Sequence, residues 1–235
     1  MRHLFSLLFF LLIVSCNLYA QTQYQNAGWL LLLNNTKLSE KWGIYADVQV
    51  RSADNWANVR NVLVRPGLTY YANGKNEFTL GYLLNQTYTH LDGTDNNVLT
   101  EHRVWEQYVH KHKISAIIAQ HRFRVEQRFI ERSGRDDLFS QRFRYFARFI
   151  IPVRKEIKAF EEGVFIALQN ELFFNLQHKK ELNNSFFDQN RAYGALGYRF
   201  SKSLDIEAGY MNQAVKGLNN HTNNSIIQLA VYTKF

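Results

Sequence analysis

The sequence has little cysteine and little proline, and after Ala20 it has no long apolar run. The one cysteine, Cys16, lies in the N-terminal apolar segment. If that segment is removed on export, no thiol remains for a disulfide, for catalysis or for metal binding. The longest aliphatic run beyond it, Leu30 to Leu33, is too short for a transmembrane helix. If the chain is embedded in a membrane it must be a closed barrel, because only helices and closed barrels satisfy every backbone hydrogen bond in lipid.

Residues 1–20 have the pattern of an export signal. A short basic start at Arg2 precedes an apolar run, and Ala20 is the small residue at the expected cleavage point. Cys16 also fits a lipoprotein cleavage box, which the sequence leaves open. We predict a signal peptide over residues 1–20, a single domain over residues 21–235, and export to the outer membrane of a Gram-negative bacterium.

The exported part is rich in residues that form β-strands. The whole chain has 13 Tyr and 18 Phe but only 2 Pro. Stretches of alternating apolar and polar residues recur from residue 28 to the end. Short and long polar connections alternate between them, as the turns and loops of an up-and-down barrel do. The predicted strands are Gly28–Asn34, Trp42–Ser52, Arg60–Ala72, Glu77–His90, Glu101–Lys111, Ser115–Glu131, Gln141–Val153, Val164–Leu176, Arg191–Phe200, Leu204–Ala214 and Ser225–Phe235.

The strand count predicts the barrel size. Single-chain bacterial barrels have an even number of strands, so we expect about 12, with 10 as the alternative. The segment from Gln21 to Ala27 would supply the additional strand. We therefore predict an all-β, antiparallel transmembrane barrel. We also predict a tight turn at Lys111-His112-Lys113 and interfacial belts of aromatic residues near strand ends, with Trp105 and Tyr232 among them.

The last strand carries the expected assembly signal. Ile227, Leu229 and Phe235 fall on one face of this strand, and Gln228 falls on the other, because successive side chains point to opposite sides. An apolar face that ends in an aromatic residue is typical of the strand that closes an outer-membrane barrel. We expect it to face lipid and to be read by the barrel-assembly machinery.

The opposite faces of the strands are rich in arginine. Arginine makes several bonds to carboxylates at once, which suits a confined interior better than a solvated surface. An exported soluble β-sandwich is the alternative, although its strands would be shorter. The predicted lumen-lining residues, ten cations and five anions, are Asp47, Arg51, Arg65, Arg122, Arg124, Glu126, Arg128, Arg142, Arg144, Arg148, Glu171, Arg191, Arg199, Asp205 and Glu207.

Three central blocks of sequence resemble a known family. They are Glu101-His-Arg-Val-Trp-Glu-Gln107, Gln120-His-Arg-Phe-Arg-Val-Glu-Gln-Arg-Phe129 and Arg142-Phe-Arg-Tyr-Phe-Ala-Arg148. The chain resembles the exported barrels called domain of unknown function twenty-four ninety, which are found largely in Bacteroidota, over essentially its whole length after Ala20. The resemblance implies an outer-membrane barrel and no particular activity.

Candidate catalytic and metal sites are weak. A lipid-modifying barrel enzyme would pair a histidine with a serine two residues away, and the chain has no His-x-Ser. The nearest groupings are His221-Thr222 and Thr89-His90. His110 and His112 would share a strand face if the strand continues that far, but two ligands do not make a metal site. We therefore predict no catalytic residue, no metal and no cofactor.

These observations favour an integral outer-membrane barrel that forms a narrow channel for small anionic solutes. The alternatives are a closed barrel that presents its loops, and a lipid-modifying enzyme. The formal charge of +8 would suit nucleic acid, but export argues against that partner. The expected partners are outer-membrane lipid and lipopolysaccharide. We expect neutralising Arg124 and Arg144 to shift selectivity toward cations.

Overall fold

The computed structural model describes residues 22–53, 55–89, 97–154 and 160–235. Within these ranges the chain forms one closed β-barrel of eleven strands and a single short helix. The predicted signal peptide with Cys16 lies outside the described residues, as does His90. No helix in the described ranges is long and apolar enough to cross a membrane.

The strands are long, from 12 residues in the second to 18 in the fifth. Alternating side chains and the scarcity of proline allow the ladders of hydrogen bonds to run along most of each strand, with a register shift in three of the eleven strand pairs. Most strands extend a few residues beyond their predicted ends. The strands are β1 Thr22–Lys37, β2 Trp42–Ala53, β3 Asn58–Tyr71, β4 Asn76–Thr89, β5 Asn97–Ile114, β6 Ile117–Ile130, β7 Leu138–Pro152, β8 Gly163–Asn175, β9 Phe187–Ser201, β10 Leu204–Lys216 and β11 His221–Lys234, and the helix is α1 Lys179–Leu182.

The barrel closes through a parallel pair, and this corrects the predicted count of 12. Every neighbouring pair is antiparallel except β1 with β11, which run in the same direction from Thr22 beside His221 to Asn35 beside Lys234. Residues 22–27 do not form a separate strand that reverses direction. They continue β1, so an odd number of strands closes without an unpaired edge.

The outside of the barrel is apolar. Leu30, Leu80 and Leu196 lie on three different strands and are each more than half exposed. On β11, Ile227 and Leu229 are 50% and 45% exposed, whereas the alternate residue Gln228 is buried inside. An apolar exterior of this extent is typical of a surface that contacts lipid.

Several polar groups on the outside are paired with each other. Gln127 donates to Glu106 over 3.1 Å, and the amides of Asn170 and Asn190 donate to one another at 3.2 and 3.0 Å. Pairing reduces the cost of placing such groups on a mainly apolar face.

Four connections at one end of the barrel are tight turns, which cover residues 38–41, 72–75, 115–116 and 202–203; β7 ends and β8 begins at the same end. We call this end of the barrel the turn end and the opposite end the loop end. The turn predicted at Lys111-His112-Lys113 is wrong. Lys111 points inward to Glu77, so the alternation continues and the chain reverses only at Ser115, whose φ is 56°.

Candidate functional site in the barrel interior

The predicted lumen residues all lie on the inner face. Most are buried, and those that are partly exposed face the cavity or bond to buried partners, because strand alternation places every second side chain inside. They are Asp47, Arg51, Arg65, Arg122, Arg124, Glu126, Arg128, Arg142, Arg144, Arg148, Glu171, Arg191, Arg199, Asp205 and Glu207.

A continuous network of ion pairs crosses β6, β7 and β8. Glu126 accepts hydrogen bonds from Arg142 at 2.7 Å and from Arg144 at 2.6 Å. Arg144 also donates to Glu171 at 2.6 Å, and Glu171 accepts a further bond of 2.6 Å from Arg122. Each buried carboxylate is therefore shared by two guanidinium groups, a geometry that the planar fork of arginine favours.

The network extends toward the loop end through residues that the sequence analysis missed. Glu101 accepts from Arg103 at 2.7 Å and from Arg128 at 2.6 Å, and Arg142 donates to Asp188 at 3.1 Å. Glu101 and Arg103 carried a signal, because they alternate with Gln107 on one face of β5. Asp188 did not, because it lies in a segment that we predicted to be a loop.

Separate ion pairs occupy the rest of the inner wall. They join residues on different strands and are not linked to the network by a shared carboxylate. They are Arg65 with Asp47 at 2.6 Å, Arg148 with Glu207 at 2.6 Å, Arg199 with Asp205 at 2.7 Å, and Lys111 with Glu77.

Trp105 lies inside the barrel, fully buried, and not in an interfacial belt as predicted. Its ring fills a space left by Gly67 and Gly81, which pair across β3 and β4. A Cβ atom built on Gly81 would lie 2.1 Å from the ring, so the site requires glycine. Arg124 stacks on the same ring, with its Cζ 4.4 Å from the centroid. Tyr232 is also internal, where its hydroxyl donates to Glu207 at 2.8 Å.

Three inner arginines make no hydrogen bond to a carboxylate within the described part of the chain. Arg124 and Arg191 donate to Gln107 and Gln189, and their nearest carboxylate oxygens lie at 3.9 and 4.0 Å. Arg51 donates to Gln49 and forms no ion pair with a described residue. Uncompensated positive charge therefore remains inside the barrel.

A cavity of about 350 Å³ occupies the interior. It runs from Lys111 and Lys234 near the turn end to Arg51 and Arg191, which lie toward the loop end of their strands. A second cavity of about 540 Å³ shares Lys111 and Lys234 with it and lies at the turn end. The two cavities therefore adjoin at that end. Several network residues, Glu101 and Arg103 among them, are not part of the lining.

The histidines of β5 and β6 lie on the outer face. His112 stacks between His110 and His121, with ring centroids 5.5 and 5.2 Å away. His110 and His121 also bond to Asn76 and to the Tyr145 hydroxyl at 2.8 and 2.9 Å. Within the described ranges, no group of three or more His, Cys, Asp or Glu residues could hold a metal ion.

An apolar exterior around a charged interior that contains a cavity is typical of β-barrels that span membranes. The family described as "Protein of unknown function (DUF2490)" matches residues 26–224. The chain belongs to this family. No curated protein matches the chain significantly. A solved structure described as a NanC porin aligns over 80% of this chain and 84% of its own, with 10% identity and a TM-score of 0.48.

Proposed function

We propose that the protein is an outer-membrane barrel that forms a narrow, anion-selective channel. The observation that supports this proposal is the unbalanced charge of the inner wall. On the described part of that wall eleven arginines and two lysines face eight carboxylates, because the predicted set is joined by Arg103, Lys111, Lys234, Glu77, Glu101 and Asp188. Excess fixed cations raise the local concentration of anions and repel mobile cations.

The location of the uncompensated charge also supports the proposal. Arg51 and Arg191 line the cavity, whereas the pairs of the network neutralise each other. A mobile anion would therefore meet positive charge along its path. In a narrow interior this charge is screened less than it would be in bulk water.

Reversal potential across a salt gradient tests the channel. Wild-type protein refolded into planar bilayers should show anion selectivity, and R51Q/R191Q should shift the potential toward cations. R135Q/R154Q is the matched control, because it removes the same charge from exposed residues. Arg144 is a poorer target than the sequence suggested, since it holds two carboxylates. A cation-selective wild-type pore would contradict the proposal.

The ion pairs near the loop end favour a second candidate, a closed barrel that presents its loops. Glu101, Arg103 and Arg128 fill part of that region with mutually bonded side chains, as packed polar interiors do in small barrels. Refolded protein that carries no current would favour this candidate. Release of fatty acid from labelled lipid would instead favour an enzyme, for which we propose no catalytic residue.

Membrane insertion can be tested separately from transport. Leu229 is 45% exposed on the outer face of β11, and an aspartate facing lipid there should cost about 2 kcal/mol. L229D, or deletion of Phe235, should reduce the heat-modifiable protein recovered in outer-membrane fractions. L229M, which preserves volume and polarity, should behave as wild type. Normal insertion of both altered proteins would refute a lipid-facing β11 read by the barrel-assembly machinery.

A further inference from the structure

Arg51 and Arg191 converge on one aromatic ring inside the barrel. The Cζ of Arg51 lies 3.9 Å from the centroid of Trp29, and that of Arg191 lies 5.0 Å from the same centroid. The two residues come from β2 and β9, which are separated in the barrel by β1, β11 and β10. Two like charges are thus held beside one surface, which is unfavourable unless something offsets their repulsion.

The ring itself is firmly supported. Trp29 belongs to a buried apolar cluster that includes Phe165, Tyr193 and Met211. Stacking on a fixed indole restricts both guanidinium groups. The register of β2 with β3 also shifts directly after Arg51, and such an irregularity changes the direction of side chains. The two arginines are therefore positioned before any ligand arrives.

Both guanidinium groups retain free donors. Arg51 uses Nε and Nη2 on the Gln49 amide oxygen, and Arg191 uses Nε on Gln189. No described residue accepts from Nη1 of Arg51 or from either Nη atom of Arg191, and none of these atoms is sealed from the cavity. The hydrogen-bond partners of both groups are neutral amides, and the carboxylate nearest to Arg191, that of Glu171 at 4.0 Å, is already bonded to Arg122 and Arg144, so positive charge stays in excess.

We infer that Arg51, Trp29 and Arg191 form a binding site for a small organic anion that carries a carboxylate or phosphate group. Oxygen atoms of such a group accept the forked bonds that guanidinium offers. The cavity volume of about 350 Å³ matches the lower range of small-molecule pockets. The inference rests on the proposed channel, for which it defines the point where a permeating solute pauses.

Tryptophan fluorescence of refolded protein in detergent tests the site. Citrate and inorganic phosphate are the probes, and glycerol is the neutral control. We expect at least one anion to cause a saturable change that W29F abolishes. R51Q and R191Q should each weaken its binding by about tenfold or more, whereas R135Q should not change it. A comparison of the two anions distinguishes a carboxylate site from a phosphate site.

The same variants separate the site from the channel. Saturable binding without any current would support the site and overturn the channel, and current that neither anion blocks would overturn the site. Equal affinity in wild type, R51Q and R191Q would also overturn the site. If a glutamine variant fails to refold, R51K and R191K keep the charge but lose the planar fork, and they should bind more weakly than wild type. Unchanged binding by both lysine variants would contradict the geometry.

Discussion

Trp105 and Trp29 both face the barrel interior, and they hold arginines in opposite circumstances. Arg124 stacks on Trp105, is fully buried and has an Nη1 atom with no hydrogen-bond partner among the described residues. Arg51 and Arg191 stack on Trp29 and face the cavity. The first arrangement completes a packed wall, whereas the second leaves positive charge accessible.

The difference follows from the neighbouring carboxylates. Glu126 lies 3.9 Å from Arg124 and also bonds to Arg142 and Arg144, so it offsets several charges on that side. Arg51 forms no ion pair with a described carboxylate, and the carboxylate nearest to Arg191, that of Glu171 at 4.0 Å, is already shared by Arg122 and Arg144. A buried charge is tolerated when a network surrounds it, and an unbalanced charge requires water or an anion. The wall around Trp105 is therefore packed and largely neutralised, whereas the wall around Trp29 keeps positive charge that can bind an anion.

The largest effect should come from breaking the network at its centre. E126Q leaves Arg142 and Arg144 with one fewer anionic partner each, and removing one member of a buried ion pair costs about 3–5 kcal/mol. Urea unfolding of the refolded protein, followed by tryptophan fluorescence, measures the loss. Unfolding of E126Q at the wild-type urea concentration would show that the network contributes little.

A smaller loss should come from crowding Trp105. The Cβ of G81A would lie 2.1 Å from the ring, so Trp105 and the stacked Arg124 must move. Overpacking of this kind costs about 1–3 kcal/mol. G74A is the control, because a Cβ at Gly74 meets nothing within 4 Å. Equal urea midpoints for G81A and G74A would contradict the fixed position of the indole.

Among the substitutions in the barrel interior, R51Q, which neutralises an arginine beside Trp29, should change the unfolding free energy least. R51Q breaks no ion pair with a described residue and relieves repulsion from Arg191. We expect its unfolding free energy to stay within about 1 kcal/mol of wild type. The comparison with E126Q is the critical one. A loss as large as that of E126Q would mean that Arg51 supports the fold and not a ligand.

The smallest change in unfolding free energy should come from breaking an exposed ion pair. Lys202 and Glu161 lie 2.7 Å apart at the turn end and are 71% and 56% exposed. Solvent and salt screen such pairs, so E161Q should change the unfolding free energy by about 0.5 kcal/mol or less, and by less still in high salt. A larger change would imply that this ion pair contributes more to stability than the exposure of its two side chains indicates.

Local patterns in the sequence predicted the strands and their two faces well. Strand alternation has a period of two, so Arg142, Arg144 and Arg148 could be assigned to one side of β7 from their spacing alone. The same rule would have placed Trp105 inside with Arg103 and Gln107. Its aromatic character pointed instead to an interfacial belt, and the error came from weighing residue type above alternation.

The sequence by itself determined that the chain forms a barrel with an arginine-rich inner face and an apolar outer face, because side-chain alternation is a local property. Only the tertiary structure decided that β1 and β11 close in parallel, and that eleven strands suffice. It also decided which arginines share carboxylates and which two meet at Trp29. Those contacts join residues far apart in sequence, and their distances depend on barrel closure and strand register, which no local pattern encodes.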